Sequence, residues 1–251
     1  MILKVSNISK YFPVHSGIFK KNAGVVKALE GVNFSLDESR VLGIVGESGS
    51  GKTTLARIIM QLIPPTSGEI IFGSGISADF RKEVQIIFQN PYHSLDPKMR
   101  IFKSLTEPFI IHRLLPKKEL RNKAVELMHM VGMEEDVLSR YPFEFSGGQR
   151  QRICIARALA SCPKLLILDE PISSLDLTVQ AKMLDLFIEL RDKLKLTYIF
   201  ITHNLAVARH IADDIVVMQN GRVVEQGRCV DIFKTPKHPY TRLLLEGDGS
   251  S

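Results

Sequence analysis

The stretch "RVLGIVGESGSGKTTLARIIMQLI", residues 40–63, constrains this chain more than any other. An apolar run of strand length ends in glycine at Gly46. From Lys52 the apolar residues recur at helical spacing, until Pro64 and Pro65 stop them. Between the two, Gly46 to Thr53 fits G-x-x-x-x-G-K-[ST], a pattern that binds phosphate when a strand precedes it and a helix follows. The glycines let backbone N–H groups point inward at phosphate oxygens, and the helix start adds its dipole. The pattern therefore assigns Gly46, Glu47, Ser48, Gly49, Ser50, Gly51, Lys52, Thr53 and Thr54 to a nucleoside triphosphate. Lys52 is expected to reach the β- and γ-phosphates, and the Thr53 hydroxyl to ligate Mg²⁺.

"LLILDE", residues 165–170, supplies the complementary chemistry. Asp169 ends an apolar run of buried-strand type, where a carboxylate can hold the Mg²⁺ shell. Glu170 follows at once, and a carboxylate there can polarise the water that attacks the γ-phosphate. A strand that merely ends in acidic loop residues is the other reading of this pair.

Alternation predicts short strands at 2–8 and 32–36, with a basic, glycine-containing loop or hairpin between them. "GEIIFG", "VQIIF" and "TYIFITH" read as further strands, and "LTVQAKMLDLFIELRDKL" as a helix. "DIVVMQNGRVVEQG" is a pair of strands around an Asn-Gly turn. Strands alternating with helices predict an α/β fold: a P-loop NTPase core with a mostly parallel sheet and an N-terminal antiparallel β region. A mostly helical stretch at about 91–156 interrupts the alternation and is expected to be an inserted helical subdomain. Residues 233–251 form a C-terminal tail, and the whole of 1–251 is read as one ATPase domain.

The 251 residues are 45% hydrophobic and 24% charged, the balance of a globular chain with a substantial core. The three cysteines, Cys154, Cys162 and Cys229, show no CxxC spacing and read as reduced thiols in the cytoplasm. No apolar run approaches the ~18 residues of a membrane span, and the N-terminus lacks a signal-peptide core. The net charge of +6 comes from scattered lysines with no tryptophan among them, so a solvated basic surface, with no nucleic-acid partner, is expected.

A second glycine-rich stretch, "FSGGQRQR" at residues 145–152, is left over, although one such loop suffices for one nucleotide. Here the chain resembles the ABC ATPases. "FSGGQ" before a helix is similar to their signature, which more often begins with Leu. Gln89 matches the Q-loop glutamine, "SSLD" at 173–176 the D-loop, and His203 the switch histidine, in the family's order along nearly the whole chain. The resemblance implies that two ATPase domains stack head to tail, with each ATP between the phosphate loop of one and the signature of the other. Ser146, Gly147, Gly148 and Gln149 would then serve the partner's ATP, together with Asp176. A plain helix capped by Ser146 is compatible with the same residues. The resemblance also makes Gln89 a sensor of Mg²⁺ and the attacking water, and His203 a contact to the γ-phosphate. The family usually has Asp after that histidine, where this chain has Asn204. The adenine platform is Phe12 by similarity to a K-x-aromatic pattern, with Tyr11 as the alternative.

"QNPYHSLDPKMRIFKSLTEP", "TPKHPYTRLLL" and the long stretch between Tyr11 and Lys27 resemble the ATP-binding subunits of dipeptide, oligopeptide and nickel importers. That implies two transmembrane permease subunits, a second ATPase subunit that is a different chain, and an extracytoplasmic solute-binding protein that acts indirectly. It also implies a peripheral place on the cytoplasmic face of the cell membrane. Tyr92, His93 and Leu95 are expected to help form a groove for a short helix of a permease subunit. A non-transport ABC ATPase of DNA repair or translation, and a small-molecule kinase, are the alternatives. The first usually carries a coiled coil or a second ATPase domain, and the second leaves "FSGGQ" and His203 unexplained.

Overall fold

Two long strands open the chain. β1 (Leu3–Ser16) pairs antiparallel with β2 (Lys21–Leu36), well beyond the short strands expected at 2–8 and 32–36. The register slips between Val5 and Ile8, between Ile8 and Lys10, and again between Lys10 and Tyr11. Each slip breaks the two-residue alternation by which a strand is read from sequence, so the strand outlasts its pattern. The computed structural model describes residues 1–16, 21–77, 79–90 and 94–247.

The chain divides into two units, Met1–Gly75 with Ile199–Ser251, and Ile76–Tyr198. In the first, β3 (Val41–Val45) is buried along its whole length and leads through the glycine turn to α1 (Lys52–Ile59). The helix stops short of Pro64. Gln61 takes a left-handed φ of 54°, its N–H donates to the Ile58 carbonyl, and that of Leu62 donates to Arg57. This is the two-bond closure that ends many helices, and it comes before the prolines can act. β4 (Ser67–Phe72) returns to pair antiparallel with β1, which completes a three-stranded sheet in the order β2-β1-β4.

The second unit begins with the short helix α2 (Phe80–Glu83) and β5 (Val84–Ile87). Its helices are α3 (Ile101–Ile111), α4 (Leu120–Met130) and α5 (Gly147–Leu159). Their buried residues include Leu105, Phe109, Leu127, Met128, Ile153 and Ile155. β6 (Leu165–Asp169) is fully buried and pairs parallel with β5, and α6 (Leu177–Leu194) follows. The chain leaves this unit within β7 (Thr197–Thr202), whose six residues are all buried.

Back in the first unit come α7 (Leu205–Ile211), β8 (Asp214–Gln219) and β9 (Arg222–Arg228). β8 runs parallel to β3, and β8 and β9 form the antiparallel hairpin that the Asn-Gly turn predicts. Asn220 and Gly221 both have positive φ, as a two-residue hairpin turn requires. Two helices close the chain, α8 (Cys229–Lys234) and α9 (Pro239–Gly247). The α/β fold expected from the sequence is what these elements build: parallel core pairs, helices, and an antiparallel N-terminal sheet. All three cysteines are free thiols, and burial pushes Cys154 up to about 12.

One largely covered carboxylate fastens the entry to β5. Glu83 accepts from the Ser77 N–H and, at 3.2 Å, from the Lys164 ammonium, while its own carbonyl accepts from the Lys164 N–H at 2.8 Å. Burial raises the Glu83 pKa, but the Ser77 and Lys164 bonds outweigh it and hold the carboxyl below its ordinary value. A depressed folded value contributes stability that is full above the ordinary glutamate range and is lost as pH falls through the folded value. Glu83→Gln should therefore cost about 1–3 kcal/mol at neutral pH. In chemical denaturation the gap to wild type should shrink as pH drops below about 4. A gap that stays constant from pH 7 to pH 3 would refute this account.

Candidate functional site

The phosphate loop is shaped by two close backbone approaches. A Cβ on Gly46 would lie 2.2 Å from the Met218 carbonyl oxygen, and one on Gly51 would lie 2.6 Å from that of Ala28. Both glycines also have φ above 100°, so no other residue fits either place. Lys52 folds under the loop and is only 4% exposed. Its ammonium donates to the carbonyls of Gly46 at 2.7 Å and Glu47 at 2.8 Å, and to the Ser50 hydroxyl at 3.3 Å. Glu47, Ser48 and Gly49 are exposed at the loop, as is Thr53 in the first helical turn.

The start of α1 lacks a side-chain cap, as do those of α3 and α4, and unlike them it follows a glycine-rich loop. Its N-cap is Gly51, which offers no side chain, and its first turn holds no acidic residue. By contrast Ser146 caps α5, Asp176 caps α6 and Asn204 caps α7. A helix start without a side-chain cap leaves N–H groups and the positive end of the dipole for an anion. The donor set fits a triphosphate.

The other expected residues of the first unit are Phe12, Tyr11 and His203. Phe12 is 39% exposed and the Lys10 ammonium lies 5.1 Å from its ring centre. Tyr11 is half-buried, with the Lys27 ammonium at 5.9 Å. His203 is exposed directly after β7. Asn204, the departure from the family's Asp, receives the Val207 N–H on its side-chain oxygen at 3.0 Å. Asn and Asp are equally good caps, so the exchange keeps the helix start intact.

In the second unit the structure brings Gln89 and Glu170 together. The Gln89 amide donates to the Glu170 carboxylate at 3.0 Å and lies 3.5 Å from the Ser173 hydroxyl. Asp169 is buried at the end of β6. Glu170 takes a left-handed φ of 50°, and its carbonyl accepts from the Ser173 hydroxyl at 3.1 Å. The sequence marks Ser173 only by its place in "SSLD", and the structure sets it against both Gln89 and Glu170. Thr53 and Asp169 offer the hard oxygens that magnesium prefers. Among the described residues no three His, Cys, Asp or Glu side chains gather into a metal cage.

"FSGGQ" opens α5 with a capping box. The Ser146 N–H donates to the Gln149 side chain at 3.0 Å, and the Gln149 N–H to the Ser146 hydroxyl at 3.4 Å. The box does not use the N–H groups of Gly147 and Gly148. Phe145, where the family more often has Leu, is buried with the Arg140 guanidinium 4.4 Å from its ring centre. This helix start also adjoins that of α6: a Cβ on Gly148 would lie 2.9 Å from Val179 Cγ1. Asp176 accepts from the Val179 N–H at 3.0 Å, so its carboxylate serves as the cap of α6.

The groove expected at Tyr92, His93 and Leu95 needs correction. Leu95 is 4% exposed and belongs to the core, because its apolar side chain finds cover there, while Tyr92 and His93 lie outside the described residues. The exposed apolar surface near Gln89 in the chain is formed instead by Phe88, with Ile111 at 67% exposure. They line one groove with Ile86, Pro108, Cys154 and Arg157.

Residues 29–173 match the sequence model of the ABC transporter family. The chain is 46% identical to the "Dipeptide transport ATP-binding protein DppF" of Haemophilus influenzae over 97% of its length and 77% of that protein's. It is 45% identical to the "Oligopeptide transport ATP-binding protein AppF" of Bacillus subtilis, with the same coverage. Among solved structures it resembles the dimeric, post-hydrolysis ATP-binding cassette MJ0796 bound to ADP and Pi. The TM-score is 0.77 at 29% identity, over 91% of this chain and 99% of that one. With its family model matched over more than half its length and relatives aligned over most of theirs, the chain belongs to the ABC transporter family, as one of its ATPases.

Proposed function

We propose that the chain is the ATP-hydrolysing subunit of a binding-protein-dependent peptide importer, working as one of two ATPase domains paired head to tail. The observation that carries this reading is the phosphate loop, a buried lysine held by loop oxygens at a helix start that no side chain caps. The relatives named for dipeptide and oligopeptide transport support peptide as the solute. Nickel, metal chelates, DNA repair and translation find no support among them. We keep the single-domain organisation, with a helical subdomain at about 91–156 and a tail from 233.

In this reading residues 46–54 hold the triphosphate, and Phe12, the more open of the two rings, carries the adenine. Thr53, Asp169 and Gln89 hold Mg²⁺, which when bound screens the charge on the transferring phosphoryl group. Glu170 takes the proton of the attacking water. The Gln89 amide on its carboxylate orients it, and the left-handed backbone at Glu170 aims it. His203 contacts the γ-phosphate. Ser146, Gly147, Gly148, Gln149 and Asp176 serve the partner's ATP, and the two glycine N–H groups that the capping box leaves unused are the donors for it. The dimeric state of the solved cassette supports such pairing. The partner is taken to be a different chain, as the family resemblance implies.

Among the described residues no helix is long and apolar enough to cross a membrane. Attachment to the cytoplasmic face then runs through the two permease subunits, which the solute-binding protein supplies from outside. The Phe88 and Ile111 groove is the docking surface in this reading. Ile111→Glu should detach the chain from its permease on co-purification while ATP binding persists. Normal assembly would move the docking surface elsewhere.

Two substitutions separate binding from chemistry. Lys52→Ala should weaken ATP binding itself, by titration. Glu170→Gln should keep binding and lower steady-state hydrolysis by about 10²–10⁴-fold, the usual contribution of a general base. Turnover close to wild type in the Gln variant would remove Glu170 from that role.

The signature is best tested at Gly147. At Gly148 any side chain strikes Val179, but at Gly147 the nearest atom to a Cβ is Leu175 Cδ2 at an ordinary 3.7 Å. Gly147→Asp should leave ATP binding by the isolated chain unchanged. In the assembled complex the added carboxylate should repel the phosphate held by the partner's loop and cut hydrolysis there by about a hundredfold. If the folded, isolated variant fails to bind ATP, the stretch belongs to this chain's own nucleotide.

A further inference from the structure

The tail "TPKHPYTRLLL" resembles those of peptide importers, yet neither binding nor hydrolysis has given it a task. Its path in the first unit begins at β9. The Glu225 carboxylate accepts the N–H groups of Lys237 at 2.8 Å and His238 at 3.0 Å, and the His238 ring accepts the Tyr240 N–H at 3.2 Å. These bonds set the first turn of α9 and turn Tyr240 inward. Its ring is buried in a cluster with Val45, Leu205, Ala208, Ile215 and Val217. Val45 is the last residue before the phosphate loop, and Leu205 lies two residues after His203.

The phenol of Tyr240 reaches the loop itself. Its oxygen accepts the Glu47 N–H at 3.1 Å. That N–H belongs to the peptide unit between Gly46 and Glu47, whose carbonyl oxygen, on Gly46, accepts the Lys52 ammonium at 2.7 Å. A peptide unit is planar and trans, so its C=O and N–H point in opposite directions and turn together. Tyr240 and Lys52 therefore grip the two ends of one rigid group. If the phenol lets go, the plane can rotate, and the oxygen that holds the ammonium moves with it.

We infer that Tyr240 is a positioning residue for the phosphate loop, and that the C-terminal tail sets the Lys52 ammonium through the Gly46–Glu47 peptide. This rests on the nucleotide-binding reading of the loop. Tyr240 touches no phosphate in it. Its role is to fix the loop before the nucleotide arrives, which lowers the ordering cost of binding.

Tyr240→Phe tests this in the full chain, because it keeps the buried ring and removes only the hydroxyl. Leu245→Ala is the control, since Leu245 packs against the same cluster and makes no bond to the loop. Without nucleotide, amide exchange at Glu47, followed by NMR, should speed up in Tyr240→Phe and not in Leu245→Ala. Affinity for a non-hydrolysable ATP analogue should fall about five- to tenfold in the Phe variant, the share of one hydrogen bond. In the assembled transporter the loss should appear in KM for ATP, with kcat retained at saturation. Unchanged Glu47 exchange and affinity in Tyr240→Phe would overturn the proposal. So would an equal loss in Leu245→Ala, which would make the tail a general packing element. Should wild type itself fail to bind the analogue, the nucleotide reading falls, whereas the exchange data alone decide whether Tyr240 holds the peptide.

Discussion

The first unit is organised around a cation placed where water hardly reaches. Burying an ammonium costs several kcal/mol even after relaxation, unless oxygens replace its hydration shell. Here the carbonyls of Gly46 and Glu47 and the Ser50 hydroxyl do so. Those oxygens converge on Lys52 only because the loop turns back on itself, and it turns back only where Gly46 and Gly51 pass against the Met218 and Ala28 carbonyls. The strands on either side follow from this demand. β3 delivers the loop from a fully buried position, and β8 runs beside it in parallel register from Leu42–Asp214 to Val45–Val217. A slip of one residue would move the Met218 carbonyl away from Gly46 and open the ring around the lysine.

In the second unit Glu170 accepts, on its carboxylate, from the amide of Gln89, a neutral donor. Its left-handed backbone is uncommon for a residue with a side chain. The conformation is secured by Ser173, whose N–H and hydroxyl both donate to the Glu170 carbonyl. The turn from β6 into "SSLD" is thus one hydrogen-bonded piece. It ends on Asp176, which opens α6, beside the start of the signature helix.

What the sequence disclosed follows the range of the interactions involved. The Asn220-Gly221 hairpin and α6 from Leu177 to Leu194 depend on near neighbours, and each lies where its pattern predicts; the glycines and lysine of the phosphate loop are legible too, but not the distant carbonyls that shape it. The long β1–β2 ribbon was largely hidden, because its bulges scramble the alternation on which strand reading depends. α1 ended early for a reason no propensity displays, the left-handed turn at Gln61. Leu95 shows the remaining difficulty. An apolar residue a few positions after Gln89 reads equally as surface patch or core, and only the packing shows it to be core. The pairing of Glu47 with Tyr240, 193 residues apart, has no local signature at all.

The distribution of helix caps ties these observations together. Ser146, Asp176 and Asn204 each spend a side-chain oxygen on the N–H groups of their own helix, and so fix where α5, α6 and α7 begin. At α1, as at α3 and α4, that local device is missing, and at α1 its absence leaves room beside the glycine-rich loop for an anion. The start of α1 must then be fixed from elsewhere. Three distant contacts do it: the Ala28 carbonyl against Gly51, the Met218 carbonyl against Gly46, and the Tyr240 phenol on the Glu47 N–H. A helix start left open for a ligand shifts its restraint from neighbours in sequence to neighbours in space. Residues as far along the chain as the tail thereby become part of what shapes the loop.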